Sequence, residues 1–263
     1  MDKVAIVTGA SSGIGEATAR RLARDGMCVT LAARRREELE RVAAAIGDET
    51  RALVVPTDVR DRAAIQHMVQ ATLDRWRRVD VLVNNAGLSY PRRVIDLDPD
   101  QVCEQIDVNL IAVIDCVQAV LPAMLRQSSG HIINVASLAG LIGIPGASIY
   151  CATKSAIVGF SDALRREVQD SGIRVTVLSP GFVATNFSPR LRRAAEKLAN
   201  GQRVRGVMCS DVVAERVARL LRHPRRHDIL PTSWRPLIAF LRAFPGLADV
   251  VLSRYYVRMR ERI

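Results

Sequence analysis

The chain has 263 residues, enough to bury the core of one large α/β domain or of two small ones. Its hydrophobic content of 49% excludes an intrinsically disordered protein, and its five cysteines contain no C-x-x-C pair that would indicate a zinc or disulfide framework. The net charge of +11 is confined to one end, because residues 1–189 carry 21 basic and 21 acidic side chains whereas residues 190–263 carry 17 and 6.

Short apolar runs alternate with longer amphipathic stretches over the first two thirds of the chain. The runs predict strands at 4–8, 28–32, 53–56, 79–83, 131–135 and 174–178, and the stretches predict helices at 14–24, 37–46, 63–75, 99–125 and 150–169. The strands are apolar on both faces, which is typical of a parallel sheet covered by helices on each side. We therefore expect one doubly wound α/β domain without an internal linker.

The first strand runs directly into a glycine-rich turn, Thr8-Gly9-Ala10-Ser11-Ser12-Gly13-Ile14-Gly15. Glycine permits a tight turn and close backbone approach, and a following helix offers free N–H groups at its N-terminus. This arrangement predicts a binding site for the pyrophosphate of a dinucleotide. An ordinary strand-to-helix turn is the alternative.

Further polar motifs follow the carboxyl ends of later strands. They are Asp58, Asn84-Asn85-Ala86-Gly87, Ser137 and Pro180-Gly181. In an open parallel sheet, ligands bind along this edge. The sequence therefore predicts one site there.

Tyr150 and Lys154 lie four residues apart, and hence on one face of a predicted helix. A nearby ammonium favours the phenolate, so we expect Lys154 to lower the pKa of Tyr150 from its usual value of about 10. The phenol can then exchange a proton with an alcohol or carbonyl oxygen, to which Ser137 offers a hydrogen bond. An exposed Tyr–Lys pair without a function is the alternative.

In order and spacing, these motifs resemble those of the short-chain dehydrogenase/reductase family over about residues 1–185. The resemblance implies a Rossmann-type sheet of about seven strands in the order 3-2-1-4-5-6-7, and a dimer or tetramer. It implies Tyr150 as general acid/base and Ser137 as the group that polarises the carbonyl. Lys154 would bind the nicotinamide ribose, and Asn109 would hold a water in the proton relay.

The resemblance also assigns the cofactor contacts. Asp58 and Val59 would meet the adenine, Pro180-Gly181 would shape the nicotinamide pocket and Thr185 would bind the carboxamide. Asn84 is expected to brace the sheet. The full expected set is Gly9, Ser11, Ser12, Gly13, Ile14, Gly15, Arg34, Asp58, Val59, Asn85, Ala86, Gly87, Tyr150, Lys154, Pro180, Gly181, Val183 and Thr185.

The end of the second strand bears on the choice of cofactor. An acidic side chain there would bind the ribose 2′-hydroxyl of NAD, but Ala33 leaves room and Arg34 offers a planar cation suited to phosphate. This favours NADP(H) over NAD(H). Ser12 departs from the basic residue that the family often has before the second glycine. Alternatively, Arg34–Arg36 open a solvated helix and pair with the glutamates that follow.

The segment after Pro180-Gly181 is expected to form a mobile substrate lid over about 183–208. Its cationic side chains are Arg190, Arg192, Arg193, Lys197, Arg203 and Arg205. A helix at 211–221 capped by Ser210 and a strand at 227–231 should complete a domain over 1–231, followed by a basic extension over 232–263.

The extension is predicted to be amphipathic. Leu247, Val251, Tyr255 and Met259 recur every four residues, and Arg254, Arg258 and Arg262 form a second row. Three alternatives stand: a helix for core or oligomer contact, a helix on an anionic membrane with Trp234, Tyr255 and Tyr256 at the interface, or a dock for an acidic carrier. Nucleic acid is not expected as a partner, since no recognition motif is present.

Taken together, the sequence predicts an NADP(H)-preferring oxidoreductase that interconverts a ketone or aldehyde and an alcohol on a lipophilic, acyl, sterol or retinoid-like substrate. A non-catalytic nucleotide-binding sensor or scaffold is the alternative. No metal is expected, since His223 and His227 lack a third ligand. The first strand begins almost at Met1 and no apolar stretch approaches the roughly 18 residues of a membrane span, so a cytoplasmic protein, or one peripheral at a membrane surface, is expected.

Overall fold

The computed structural model describes residues 2–185, 187, 189–200, 202, 204 and 206–260, with backbone alone for 189, 190 and 255–260. Several expected features lie outside the described residues. They are the lid residues Arg203 and Arg205, the side chain of Arg190, the tail residue Arg262 and the side chains of Tyr255, Tyr256, Arg258 and Met259.

Seven parallel strands form one sheet in the order β3-β2-β1-β4-β5-β6-β7, which confirms the predicted topology. The strands are β1 (Val4–Thr8), β2 (Cys28–Ala33), β3 (Ala52–Pro56), β4 (Val81–Asn84), β5 (Gly130–Val135), β6 (Ile173–Pro180) and β7 (His227–Leu230). Strands β1, β4 and β5 are buried at every residue, as expected between two layers of helices, whereas β3 and β7 at the two edges of the sheet are partly exposed.

Ten α-helices lie in the described part of the chain. They are α1 (Gly13–Arg24), α2 (Arg36–Ile46), α3 (Arg62–Trp76), α4 (Pro99–Ile106), α5 (Ala112–Arg126), α6 (Ser148–Glu167), α7 (Pro189–Ala199), α8 (Ser210–Arg222), α9 (Arg235–Ala243) and α10 (Pro245–Arg260). Local chemistry sets several of their ends: the Asp61 and Asp98 carboxylates accept first-turn N–H groups of α3 and α4, and Gly47 ends α2 in a left-handed conformation.

The core consists of two apolar layers, one on each face of the sheet. Helices α1, α2 and α8 cover one face, and α3, α5 and α6 cover the other. Successive residues of β1 divide between them, since Ala5 and Val7 pack in the first layer and Ile6 packs in the second. This sandwich leaves the carboxyl ends of the strands accessible along one edge.

The predicted helix over 99–125 is interrupted at its centre. Asp107–Ile111 forms a π-helical segment between α4 and α5, with the buried Asn109 in its middle. The expectation that no segment approaches the length of a membrane span is also wrong. Pro99–Arg126 is long and apolar enough by length and composition, although the core helices of soluble proteins pass the same test and its Val117 and Val120 pack against the sheet.

The C-terminal elements differ from expectation in two respects. Cys209, not Ser210, occupies the N-cap of α8, and the Ser210 hydroxyl instead donates a hydrogen bond to the Ala184 carbonyl. The extension is not one helix but two, since the chain bends by 114° where α9 meets α10. Taken together, Thr232–Ala243 and Pro245–Arg254 also pass the length and composition test for a span. The division of the chain into 1–231 and 232–263 stays a prediction.

His131 is a buried titratable group in β5, away from the carboxyl edge of the sheet. Its Nε2 lies 2.8 Å from the Thr176 hydroxyl, which donates to the Arg225 carbonyl and therefore accepts from the imidazole. Burial lowers the pKa of His131 to about 4, with smaller contributions from Arg174 and Lys3. The side chain is thus a neutral structural residue, as its place within a strand indicates.

We expect this histidine to make the protein sensitive to mild acid. Between pH 6.5 and about 4 the unfolded chain protonates His131 and the folded chain does not, so the free energy of unfolding should fall with pH by up to about 3 kcal/mol. Urea unfolding of wild type and His131→Gln at several pH values measures this loss. The variant should show a shallower pH dependence, while His67→Gln on the exposed face of α3 should match wild type. Equal slopes for wild type and His131→Gln would contradict the assignment.

Candidate active site

The turn after β1 forms a concave backbone surface, here called the cradle, at which Gly9 and Gly15 leave no room for a side chain. Gly9 adopts a φ of +66°. A Cβ on Gly15 would collide with the Gly9 carbonyl oxygen and lie 2.7 Å from Asn85 Nδ2. Ser12 occupies the N-cap of α1 with extended backbone and makes no side-chain capping bond. The first-turn N–H groups of α1 therefore remain available to an anion, and the cradle fits a pyrophosphate.

Thr8 ties this turn to the loop that follows β4. Its hydroxyl accepts hydrogen bonds from the backbone N–H groups of Asn85 (3.0 Å) and Ala86 (3.1 Å), and Asn85 Nδ2 donates to the Thr8 carbonyl at 2.9 Å. The sequence analysis placed Thr8 in a motif but not in the site. The sequence did contain a signal for this role, because Thr8 is the one polar residue of β1 and stands at its carboxyl end.

Arginines surround the end of β2. Arg35 Nη2 donates to Ser11 Oγ in the glycine turn at 3.2 Å, whereas Arg36 pairs with Glu40 along α2 at 3.5 Å. Arg34 is exposed and forms no ion pair within the described residues. Its charge contributes to lowering the pKa of Asp58 across the crevice. Of the three arginines, only Arg36 thus pairs with a glutamate of the following helix, as the alternative interpretation predicted for all three.

Asp58 and Val59 follow β3, as expected for an adenine site. The Asp58 carboxylate is engaged by Arg60 at 2.6 Å, and this hydrogen bond lowers the pKa of Asp58. Arg60 also bridges to Glu104 at 3.1 Å, and Glu104 accepts a hydrogen bond from the Tyr90 hydroxyl. An adenine contact of Asp58 stays a prediction.

Small apolar residues complete this side of the crevice. Val59 packs with Val108 and Ala112, and Ala86 lies against the same cluster. Ile14 packs against the main core from the first turn of α1. Asn84 braces the sheet as expected, since its Nδ2 donates to Asn134 Oδ1 at 2.9 Å.

Ser137 and Tyr150 meet above the end of β5. Ser137 caps a short 3₁₀ turn, where its Oγ accepts the N–H of Ala139 at 3.1 Å, and its hydroxyl also hydrogen bonds with the Tyr150 phenol. Burial raises the pKa of Tyr150 to about 12, against the lowering effect of that hydrogen bond. The prediction that the Ser137 and Tyr150 hydroxyl groups lie together is thus confirmed. The prediction that the pKa of Tyr150 is lowered is wrong for the protein without a bound cofactor.

The physical reason lies in the position of Lys154. Its Nζ is 5.7 Å from the centre of the Tyr150 ring and donates to the Val135 carbonyl at 3.0 Å. Removal from water lowers the pKa of Lys154 to about 8. At this distance, the ammonium does not offset the desolvation of the phenolate.

Asn109 is completely buried in the π-helical segment and holds the loop that follows Gly87. Its Oδ1 accepts the N–H of Leu88 at 2.9 Å, and its Nδ2 donates to the Leu88 carbonyl at 2.8 Å and to Thr153 Oγ1 at 3.3 Å. These hydrogen bonds fix the backbone at Leu88 in position. Its expected part in a relay water stays a prediction.

The segment that follows β6 closes over Tyr150. Gly181 is held by a bond from its N–H to the Leu230 carbonyl, and Val183 pairs with Met208 across the lid. Thr185 lies beside the glycine turn, 2.9 Å from a Cβ placed on Gly13. The Phe187 ring packs on Tyr150 with centroids 5.6 Å apart. Sequence analysis missed Phe187, which no motif marks.

Comparison with known proteins accords with this geometry. The family model for short chain dehydrogenase matches residues 3–196. The chain belongs to the short-chain dehydrogenase/reductase family. It is accordingly an NAD(P)-dependent oxidoreductase that acts on CH–OH groups. Among the described residues, no three His, Cys, Asp or Glu side chains are grouped to hold a metal ion.

Relatives of this dehydrogenase are similar over most of its length. An uncharacterized oxidoreductase from Staphylococcus epidermidis is 38% identical over 205 residues, covering 76% of this chain and 88% of the relative. An alcohol dehydrogenase from Thermococcus sibiricus complexed with 5-hydroxy-NADP is 32% identical with a TM-score of 0.75, covering 88% and 95%. A short chain dehydrogenase/reductase from Burkholderia phymatum in complex with NAD is 27% identical with a TM-score of 0.82, covering 96% and 95%.

The cradle makes a direct prediction about cofactor binding. Gly15→Ala forces a methyl group against the Gly9 backbone, and strain of about 1–3 kcal/mol should weaken NADPH binding by roughly 10- to 100-fold. Fluorescence titration with NADPH measures the affinity, and thermal unfolding verifies that the variant is folded. Gly246→Ala in the first turn of α10, where an added Cβ meets nothing within 4 Å, is the matched control. Wild-type affinity in a folded Gly15→Ala protein would show that the turn does not hold the nucleotide.

Proposed function

We propose that this dehydrogenase is an NADP(H)-preferring enzyme that interconverts a ketone or aldehyde and the corresponding alcohol, with Tyr150 as general acid/base. One observation carries the proposal. Ser137, Tyr150 and Lys154 come from two different elements, and they meet at the sheet edge that also holds the glycine turn. A proton donor therefore lies beside the dinucleotide cradle.

In the reduction direction, Tyr150 donates its phenolic proton to the carbonyl oxygen while Ser137 hydrogen bonds to that same oxygen. When bound, the reduced nicotinamide would supply the hydride that the carbonyl carbon accepts. The desolvated phenol, whose pKa is near 12 in the polypeptide by itself, is held in the protonated form that this step requires. In the oxidation direction, Tyr150 must first be deprotonated, and its phenolate oxygen then accepts the alcohol proton.

Lys154 serves the site through position and charge. Its stem lies between the end of β5 and the Tyr150 ring, and the Val135 carbonyl fixes the ammonium there. A cation at this place stabilises phenolate as the proton leaves, and its remaining N–H groups are suited to ribose hydroxyls. Asn109 acts as a positioning residue, since it fixes the backbone at Leu88.

Replacing the phenol tests the mechanism. Tyr150→Phe keeps the ring and removes the proton, so kcat should fall by about 10²- to 10⁴-fold with NADPH affinity nearly unchanged. Tyr90→Phe, which removes a hydroxyl bound to Glu104, is the matched control and should stay close to wild type. Turnover retained in Tyr150→Phe would remove Tyr150 from the reaction. NADPH binding by wild type without turnover of any ketone or alcohol would instead support a nucleotide-binding sensor.

Two features support the preference for NADP(H). Ala33 provides no carboxylate that would oppose a 2′-phosphate. Arg34 is exposed at the same strand end, and Arg35 is already hydrogen bonded to Ser11 in the glycine turn. Planar guanidinium groups suit phosphate, and two of them outweigh the absence of a basic residue at Ser12.

We expect Arg34→Ala to separate the two cofactors. Loss of a charge-assisted hydrogen bond of about 1.5–3 kcal/mol should weaken NADPH binding roughly 10- to 100-fold and leave NADH binding unchanged. Parallel fluorescence titrations with both nucleotides measure the ratio. Arg36→Ala, which breaks only the pair with Glu40, should alter neither affinity. An equal effect on NADPH and NADH would argue against a phosphate contact.

The lid supports a lipophilic substrate. Phe187 packs on the Tyr150 ring, so apolar surface lies beside the phenol. A screen of ketones with equal reactivity and increasing chain length tests this, with kcat/KM expected to rise with apolar size. We further propose a homodimer or homotetramer formed through the central helices α5 and α6, and a cytoplasmic location.

A further inference from the structure

The first helix of the extension divides into a buried face and an exposed apolar face. Ile238 and Leu241 of α9 are almost completely buried against the body of the protein. Leu237, Phe240 and Phe244 follow one another at helical spacing and are exposed. The buried face holds α9 in place and leaves the other in contact with solvent.

The apolar surface continues around the bend into α10. The Phe240 and Phe244 rings pack together with centroids 4.9 Å apart, and Leu247, Val250 and Val251 are exposed on the following helix. We call these six side chains (Leu237, Phe240, Phe244, Leu247, Val250 and Val251) the C-terminal apolar ridge. Contiguous exposed apolar surface of this kind marks an interaction site.

A buried carboxylate fixes the start of the extension. Asp228 of β7 is completely buried, pairs with Arg216 of α8 at 2.7 Å and also accepts from Arg235, the first residue of α9. Breaking such a pair leaves an uncompensated buried charge, so α9 is tied firmly to the domain. The exposure of the ridge therefore follows from an anchored helix.

Positive charge accompanies the ridge. Residues 232–263 contain six arginines and two acidic residues. Of the arginines, Arg242 and Arg254 are exposed on the same two helices as the ridge. The ridge thus combines an apolar surface with a surrounding field of one sign.

We propose that the C-terminal apolar ridge docks this enzyme peripherally on an anionic membrane surface. A second copy of the chain would bring the same positive charge against this end, and like charges oppose that contact. A soluble acidic carrier would satisfy the arginines but would not account for six exposed apolar side chains. An anionic bilayer satisfies both, because acyl chains receive the ridge and headgroups receive the arginines.

The dimensions of the two helices agree with docking on the surface. At 1.5 Å per residue, the nine residues of α9 and the sixteen of α10 extend only about 14 and 24 Å, short of a hydrocarbon core of about 30 Å. The bend of 114° prevents the pair from forming one straight span. In the docked protein, the C-terminal apolar ridge would therefore lie at the boundary between the lipid headgroups and the acyl chains.

Flotation of the purified full-length protein with liposomes tests the proposal. Wild type should float with mixed phosphatidylcholine–phosphatidylglycerol vesicles, float much less with pure phosphatidylcholine, and be partly released by high salt. Phe240→Ser combined with Phe244→Ser, and Arg242→Glu combined with Arg254→Glu, should each lower binding by about tenfold or more. Arg24→Glu combined with Arg75→Glu, the same charge change on exposed positions of α1 and α3, is the matched control and should bind like wild type.

NADPH titration and light scattering accompany every variant. Unchanged NADPH affinity establishes that the variants are folded and separates this proposal from the proposed enzyme chemistry. Wild type that does not float with anionic vesicles overturns the proposal. So does a change from oligomer to monomer in Phe240→Ser with Phe244→Ser, which would identify the ridge as a contact between copies.

Discussion

The burial of one ammonium group is the constraint on which the active site depends. Lys154 Nζ is removed from water beneath the Tyr150 ring, and the Val135 carbonyl receives one of its three N–H donors. Such a charge is costly to bury, and the pKa of Lys154 falls to about 8 accordingly. Gly87 carries no side chain beside this ammonium, where an added Cβ would lie 3.7 Å from Nζ and 3.2 Å from Asn109 Oδ1. The ribose hydroxyl groups that we propose for Lys154 would bind at this point.

Polar side chains hold the backbone around this lysine. Thr8 joins the end of β1 to the loop that follows β4, and Asn109 grips the next part of that loop at Leu88. Asn109 lies buried in the middle of the π-helical segment, which interrupts the regular helix between α4 and α5. Such segments are rare and occur often at functional sites. Rigidity near the cradle thus comes from side chains that bind backbone and do not themselves react.

The distribution of charge separates the chain into two physical parts. The first 189 residues are electrically balanced, and most ion pairs within them join residues two to four positions apart, while a few, such as Arg60–Glu104, join different elements. The remaining 74 residues hold the whole excess, and three of their arginines pair with the buried Asp228, of which Arg235 ties the extension to the domain.

The sequence by itself determined the seven-stranded sheet, because alternating apolar runs and amphipathic helices allow few other packings. It also determined that the glycine turn and Ser137 share one edge, since the ends of parallel strands must meet there, whereas the resemblance to the family placed Tyr150 and Lys154 beside them. Only the tertiary structure decided the raised pKa of Tyr150, the interruption at Asn109, the anchoring of α9 by Asp228 and the contact of Phe187 with Tyr150. These depend on distances and burial between residues far apart in the chain, which periodicity and motif spacing do not encode.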